Sequence, residues 1–177
     1  MKRKLLLVLM IPVLYCIQSC DDPQKAKNYN QETTVDQNGL NFIDKAIDGG
    51  RTEIRLSMIA QQNSSDQRVL NFAKMMVSDH IKAIEAIKKL QKRELASPPD
   101  GISAQHKNMV DSIARLSGSQ FDKAYMKQMV ADHEDAVNLF KEASQDRANA
   151  VQSCAEKILP TIEMHLDSAK AINAALK

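Results

Sequence analysis

Two of the four histidines in this chain of 177 residues lie in a motif that the sequence contains twice. Residues 72–83 read FAKMMVSDHIKA and residues 125–136 read YMKQMVADHEDA, so both copies fit aromatic-x-Lys-x-Met-Val-x-Asp-His-x-x-Ala. The two histidines, His80 and His133, are 53 residues apart at matching positions of the repeat. A histidine accompanied by a carboxylate is a common arrangement in metal sites. The repeat therefore predicts a paired polar site.

The apolar pattern predicts that this site is carried by helices. Apolar residues recur every three or four positions from about residue 40 onward, which is typical of amphipathic helices. Aromatic residues make up only 4% of the chain, and the alternation expected of strands is largely missing. We predict four long helices and a short connector, at about residues 40–62, 67–96, 102–116, 120–144 and 147–176.

Two features of these helices are unusual. Gly49 and Gly50 interrupt the first helix, at a cost of about 1 kcal/mol each relative to alanine, which favours close approach of a neighbour or a kink. Pro160 lies inside the last helix and is predicted to kink it. The apolar stripe of the first helix is predicted to run through Ile43, Ile47, Ile54 and Met58.

The connection between the second and fourth helices takes more than twenty residues, which is long enough to cross a bundle from end to end. These two helices can therefore run parallel, whereas the short turns on either side join antiparallel neighbours. We predict an all-α protein, a ferritin-like four-helix bundle with a short fifth connector helix.

Three histidines are predicted to meet at one level of this bundle. His80, His133 and His165 fall near the middles of their helices, and Glu53 lies near the middle of the first helix. Because helix bundles often place metal sites at their core, we predict such a centre here. Its candidate ligands and orienting groups are His80, His133, His165, Glu53, Asp79 and Asp132. The fourth histidine, His106, lies on the connector and is predicted to be exposed.

The sequence does not identify a cofactor, but the residues around the histidines indicate which metals are candidates. Met76 and Met129 each precede a histidine by four residues, and Met164 adjoins His165. Because thioethers beside imidazole suit copper better than magnesium or calcium, copper is one candidate, with iron as another.

Two other interpretations of the polar centre remain open. Histidines that face a core are often structural, so the centre can serve only to specify packing in a non-enzymatic structural or interaction protein. Catalysis has little support, because the chain lacks a glycine-rich phosphate loop, a nucleophile elbow and a Cys-x-x-Cys motif. Cys154 is predicted to be part of the core rather than a nucleophile.

The start of the chain resembles the signal of a bacterial lipoprotein. Three basic residues precede an apolar stretch over residues 5–15, and Ile-Gln-Ser-Cys at residues 17–20 is similar to a lipobox. An uncleaved anchor helix and an ordinary secretory signal are the alternatives. Lipidation of Cys20, with palmitate or a similar acyl chain, would attach the protein to a membrane of the cell envelope, the outer rather than the inner. The predicted regions are a lipoprotein signal peptide at residues 1–19, the lipidated Cys20 and a flexible tether at residues 20–38, and the helical bundle domain at residues 39–177.

Charge and cysteine content exclude some classes of protein. Of 24 Lys and Arg, three lie in the predicted signal, which leaves 21 against 22 Asp and Glu. No basic patch with interleaved aromatic residues is present, so we do not expect nucleic acid as a partner. If Cys16 is removed and Cys20 is lipidated, Cys154 is left alone and cannot form an internal disulfide. The stability must then come from the helical core.

These features together resemble the bacterial family known as domain of unknown function 4142. The resemblance covers about residues 38–176 and is carried by Gly49-Gly50, the two Asp-His regions and Leu-Pro-Thr at residues 159–161. It implies a ferritin-like fold and a place outside the cytoplasm, but no activity. The Glu-x-x-His motif of di-iron ferritins is absent, because the residues three before the histidines are Val77, Val130 and Ile162. Ferroxidase chemistry is therefore not expected.

Overall fold

The computed structural model of the protein describes residues 35–91 and 101–176, which form five helices and no strand. The helices are α1 (Gln37–Asn63), α2 (Gln67–Gln91), α3 (Ala104–Ala114), α4 (Gly118–Ala143) and α5 (Asn149–Ala175). The all-α prediction is confirmed. The predicted signal, Cys20, most of the tether and residues 92–96 of the second helix lie outside the described residues.

Polar side chains begin several of these helices. The Asp36 carboxylate accepts hydrogen bonds from the backbone N–H groups of Asn38 and Gly39 at the start of α1. Asp66 accepts from the backbone N–H of Arg68 at the start of α2. Such caps satisfy donors that have no partner within the helix. No helix in the described part of the chain combines the length and apolar character that a membrane span requires.

The four long helices pack as two antiparallel hairpins, α1 with α2 and α4 with α5. The hairpins meet because α1 also packs on α4 and α2 on α5. At the end of α1, the Asn63 amide donates to the carbonyl oxygens of Ala114 and Leu116, just before α4 begins. Because α2 and α4 both start at this end of the bundle, they run parallel, as predicted. The short α3 packs against α1 and α4.

A layer of polar residues divides the buried core into two apolar clusters. The first cluster, between the start of α1 and the end of α2, is built around residues such as Phe42, Ile43, Ile47, Ile87, Val137, Phe140 and Val151. The second, toward the other end, is built around residues such as Leu56, Met76, Phe121, Tyr125, Met126 and Met129. Between them lie the buried polar side chains of Thr52, Glu53, His80, His133 and His165. Each long helix therefore carries part of this layer.

The predicted apolar stripe of α1 is wrong for the residues that follow Gly49 and Gly50. Ile43 and Ile47 are buried, but Ile54 is only partly buried and Met58 is 55% exposed. The buried face continues instead through Glu53, Leu56, Ser57 and Ala60. A turn takes 3.6 residues, so Met58, 15 residues after Ile43, lies about 60° around the helix from it and away from the core.

Replacement of Leu56 by alanine should lower the free energy of unfolding by about 2–5 kcal/mol, because this fully buried side chain would leave a cavity. Met58→Ala, two residues further along α1, should change it by less than about 0.5 kcal/mol, since Met58 is exposed. Urea unfolding followed by circular dichroism measures both values. Equal losses in the two variants would place Met58 in the core and contradict the structure.

Candidate metal centre

Three histidine rings from three different helices meet at the middle of the bundle. The ring centroids are separated by 5.7 Å for His80 and His133, 5.4 Å for His80 and His165, and 5.5 Å for His133 and His165. All three residues are buried. One nitrogen of each ring lies within 4.8 Å of its counterparts on the other two. The structure thus brings together the three histidines that the sequence placed at one level.

Two of the rings are oriented by hydrogen bonds to groups that can only accept. His133 Nδ1 lies 2.8 Å from the carbonyl oxygen of Met129, one turn earlier in α4. His165 Nε2 lies 3.3 Å from a carboxylate oxygen of Asp79, on the neighbouring α2. In a neutral imidazole the nitrogen that faces an acceptor carries the proton, so the other nitrogen has a free lone pair. In His133 that nitrogen is Nε2, and in His165 it is Nδ1.

Glu53 of α1 contacts two of the three rings, those of His80 and His133. One of its carboxyl oxygens is 3.1 Å from Nδ1 of His80, and the other is 3.3 Å from Nδ1 of His133. The Glu53 side chain is almost completely buried. When Nδ1 of His80 carries the ring proton and donates to Glu53, Nε2 of that ring keeps a free lone pair.

The three nitrogens with free lone pairs are also the ones that lack a partner. No protein atom in the described part of the chain hydrogen-bonds to His80 Nε2, His133 Nε2 or His165 Nδ1, and all three atoms are buried. An unsatisfied buried polar group costs about 1–3 kcal/mol. Three such groups in one place are expensive in a core that has no ligand. They match the donor set that a metal ion requires.

The surroundings keep these rings neutral. Burial is the largest cause that lowers the pKa of His80 to about 3 and of His133 to about 4, and the neighbouring rings add to the effect. Burial also lowers the pKa of His165, although Asp79 opposes it. The pKa of Glu53 is raised well above its ordinary value, first by burial and then by the charge of Asp132. Neutral imidazole is the form of histidine that binds a metal.

The two aspartates of the repeated motif have different roles in the structure. Asp79 contacts both His165 and Lys82; burial acts to raise its pKa, but these hydrogen bonds lower it on balance. Asp132 accepts a hydrogen bond from Gln128, and its other oxygen is buried with no partner among the described residues. Burial raises the pKa of Asp132. Asp79 therefore orients a histidine, whereas Asp132 does not.

One of the three methionines does not support the sequence argument for copper. Met164 is 44% exposed, so it points away from the ring of the adjacent His165. Met76 and Met129 are buried within the second apolar cluster. Cys154 is partly buried at the edge of the first cluster, and burial raises the pKa of its thiol. This agrees with its predicted place in the core.

A cleft of about 420 Å³ reaches the centre at Glu53 and His80. Sequence reasoning missed this cleft and was wrong about His106, which lines it and is only partly exposed. Nδ1 of His106 lies 2.8 Å from the carboxylate of Asp48, and this contact joins α3 to α1. The two residues are 58 positions apart and belong to no repeat or motif, so the sequence contained no signal for the contact.

Comparisons with known proteins agree with this fold. The crystal structure of a DUF305 fragment from Deinococcus radiodurans superimposes with a TM-score of 0.71, covering 80% of this chain and 99% of that one at 15% identity. At that identity the similarity shows a common helical fold alone. No curated protein matches the sequence.

The family described as domain of unknown function (DUF4142) matches residues 24–172, which include all the side chains of the histidine centre and most of the bundle. This confirms the resemblance that the repeated Asp-His motif and the glycine pair indicated. The protein is therefore a member of the DUF4142 family.

Proposed function

We propose that this protein binds one divalent transition-metal ion at the centre of its bundle, through His80, His133 and His165. Glu53 and Asp79 orient the rings as outer partners. Two observations carry the proposal. One nitrogen of each ring lies within 4.8 Å of its counterparts on the other two rings, and each ring has one buried nitrogen without a partner among the described residues. Carboxylates and backbone carbonyls that fix the far side of a histidine are typical of metal centres.

The three imidazole nitrogens limit which metal ions suit this site. Imidazole nitrogens suit Cu²⁺, Zn²⁺, Ni²⁺ and Fe²⁺ better than Mg²⁺ or Ca²⁺, and the affinity of such a site generally peaks at Cu²⁺. Copper is therefore the preferred metal because of the imidazole nitrogens, and not because of the methionines. Three protein ligands leave a coordination position for a further ligand, as in catalytic rather than closed structural zinc sites. Metal handling in the cell envelope is the role that this arrangement fits.

The competing proposal is a polar layer that only specifies packing. A purely structural network is stable when each of its members is satisfied, as the Ser57 and Tyr125 hydroxyls are, 2.8 Å apart within the second cluster. The histidine centre differs, because each ring has one partnered and one partner-free nitrogen. This difference within the same core favours the metal centre over the structural network.

We further propose that the protein is a lipoprotein of the bacterial envelope, held at the outer membrane through Cys20. The support is the sequence alone, namely the basic start, the short apolar stretch and the Ile-Gln-Ser-Cys motif at residues 17–20. Two or more acyl chains provide stable anchoring, which a single chain does not.

Purified full-length protein should bind Cu²⁺ and Zn²⁺ at one ion per chain, measured by equilibrium dialysis with elemental analysis. His80→Ala, His133→Ala and His165→Ala should each lose most of this binding, because each removes one of three ligands. His106→Ala is the matched control and should bind as the wild type does, since His106 contacts Asp48 outside the centre.

Circular dichroism confirms that each variant is folded before its binding is compared. The wild type should also gain thermal stability when metal is added, because an ion that binds only the folded state stabilises it. If the folded wild type takes up none of Cu²⁺, Zn²⁺ and Fe²⁺, or if His106→Ala loses as much binding as His133→Ala, the metal centre proposed here does not exist.

The metal-free protein should become less stable as the pH falls from about 6.5 to 4. An unfolded histidine titrates near pH 6.5, whereas His80 and His133 have pKa values of about 3 and about 4 in the folded protein. The unfolded chain therefore binds more protons in this window, so the free energy of unfolding decreases as the pH is lowered and is fully retained above it. The raised pKa values of Glu53 and Asp132 act in the opposite direction, but the three histidines with lowered pKa values outnumber them.

Urea unfolding of chelator-treated protein between pH 4 and 8 measures this dependence. A double variant, His80→Gln with His133→Gln, should have a flatter profile because these two titrations are removed. A wild-type stability that is constant or rises toward pH 4 would show that the buried rings are not held neutral.

Cells that express the full-length chain and are fed labelled palmitate should incorporate the label into this protein, and Cys20→Ala should abolish the incorporation. The same variant should move from the membrane fraction to the soluble fraction, because its anchor is lost. Cys154→Ala is the control and should keep both the label and the membrane association. Membrane association of Cys20→Ala equal to that of the wild type would contradict lipid anchoring.

A further inference from the structure

The histidine centre is closed on most sides within the described part of the bundle. His133 and His165 have no exposed surface, and His80 and Glu53 retain only about 5% each. His80 and Glu53 are also the members of the centre that line the cleft of about 420 Å³. An ion that binds at the rings must pass through the protein, and the cleft reaches two residues of the centre.

The lining of the cleft is suited to a cation. It contains four carboxyl groups, but Lys45 is the only lysine or arginine among its described residues; the acids are Glu53, Asp132, Asp135 and Glu142. Carboxylates in a confined space with apolar walls raise the local concentration of cations and the rate at which they associate. The apolar walls come from residues such as Ile84, Leu139 and Phe140.

Asp132 has the position of an intermediate ligand. It lines the cleft, and one of its carboxylate oxygens is buried without a partner among the described residues. Its charge helps to raise the pKa of Glu53, which lines the same cleft. His80, which carries one of the partner-free ring nitrogens, also lines the cleft and is almost completely buried. Two residues that each have an unpartnered polar atom, Asp132 and His80, thus line the same cleft.

The glycine pair of α1 forms part of the same wall. A Cβ atom at Gly50 would lie 3.2 Å from Cδ1 of Ile84, which would have to shift slightly, and 3.4 Å from Nδ1 of His80, in van der Waals contact with the ring. A Cβ atom at Gly49 would meet nothing within 4 Å, although Gly49 lines the cleft. Gly50 thus lets the backbone approach His80 closely, and Gly49 leaves space in the cleft. These effects give a reason for two residues that disfavour a helix interior.

We infer that this cleft is the route by which a divalent cation reaches the histidine centre, and that Asp132 is the carboxylate ligand that receives the ion on the way. Glu53, at the inner end, lies next to both Asp132 and the rings and takes part in the transfer. The inference rests on the proposed function, because it assigns the access to the same centre. It also gives Asp132 a role that differs from that of its counterpart Asp79.

The test is the rate at which purified full-length protein takes up Cu²⁺, followed in a stopped-flow instrument by the visible absorption of nitrogen-bound copper. Gly49→Phe should fill the cleft and slow the uptake at least severalfold. Gly49→Ala is the matched control, since it also replaces the helix-disfavouring glycine but does not fill the space, and it should keep the wild-type rate. Prolonged incubation should give one bound ion per chain in all three proteins.

Asp132→Asn is a second variant that leaves the cleft open and removes one charge. It should slow the uptake severalfold at low salt, with a smaller difference at high salt, because screening weakens the attraction of the carboxylate. Asp111→Asn, which removes an exposed carboxylate of α3 that does not line the cleft, should have no such effect.

The outcomes separate the two proposals. If the wild type binds copper but Gly49→Phe and Asp132→Asn take it up at the wild-type rate, the cleft is not the route and the metal centre stands. If the wild type binds no metal at all after prolonged incubation, the centre itself is wrong and the route falls with it. A slow Gly49→Phe beside a fast Gly49→Ala supports the route.

Discussion

The structure depends on the burial of three neutral imidazole rings at one level of a four-helix bundle. Each ring has a proton that must face an acceptor, and the acceptors come from three different places: the Met129 carbonyl, the Asp79 carboxylate and the Glu53 carboxyl group. With these partners in place, each ring keeps one buried nitrogen that has no partner among the described residues. The bundle must hold four helices in register for this arrangement to exist.

The register is provided by the apolar clusters on either side of the polar layer. Edge-to-face packing of Phe42 on Phe140 joins α1 to α4 in the first cluster, with ring centroids 5.0 Å apart. Phe72 and Tyr125, the aromatic residues that begin the two copies of the repeat, are 6.3 Å apart in the second. The repeated motif is thus both a source of ligands and a source of the contacts that align them. The unsatisfied nitrogens reduce stability in the metal-free state, as is common where a core is adapted to a site.

Much of this arrangement could be predicted from the sequence. The helices, the parallel course of α2 and α4 and the common level of the histidines follow from helical periodicity, the length of the connection and a rise of 1.5 Å per residue. These are properties of the backbone. The roles of Asp79 and Asp132 could not be predicted, because identical motif positions on parallel helices face different neighbours. The first meets His165 of α5, and the second lies near Glu53 of α1.

Other errors have local physical causes. Adjacent residues on a helix point about 100° apart, so Met164 does not point in the same direction as His165. For the same reason of helix geometry, Met58 lies outside the core face of α1. The contact of His106 with Asp48 depends on how the connector crosses the bundle, which no periodicity encodes. The cleft is lined by small residues of three helices, Ala46, Gly49 and Gly50 of α1, Ala83 of α2 and Ala136 of α4, and is visible only when the helices are packed.

The most direct measurement is X-ray absorption spectroscopy of the protein loaded with Cu²⁺ or Zn²⁺. We predict three imidazole nitrogens at about 2.0–2.1 Å from the metal, with any remaining position filled by oxygen or nitrogen. In His106→Ala the spectrum should be unchanged. A first coordination shell that contains methionine sulfur, or that consists of carboxylate oxygens without imidazole, would contradict a metal centre built from His80, His133 and His165.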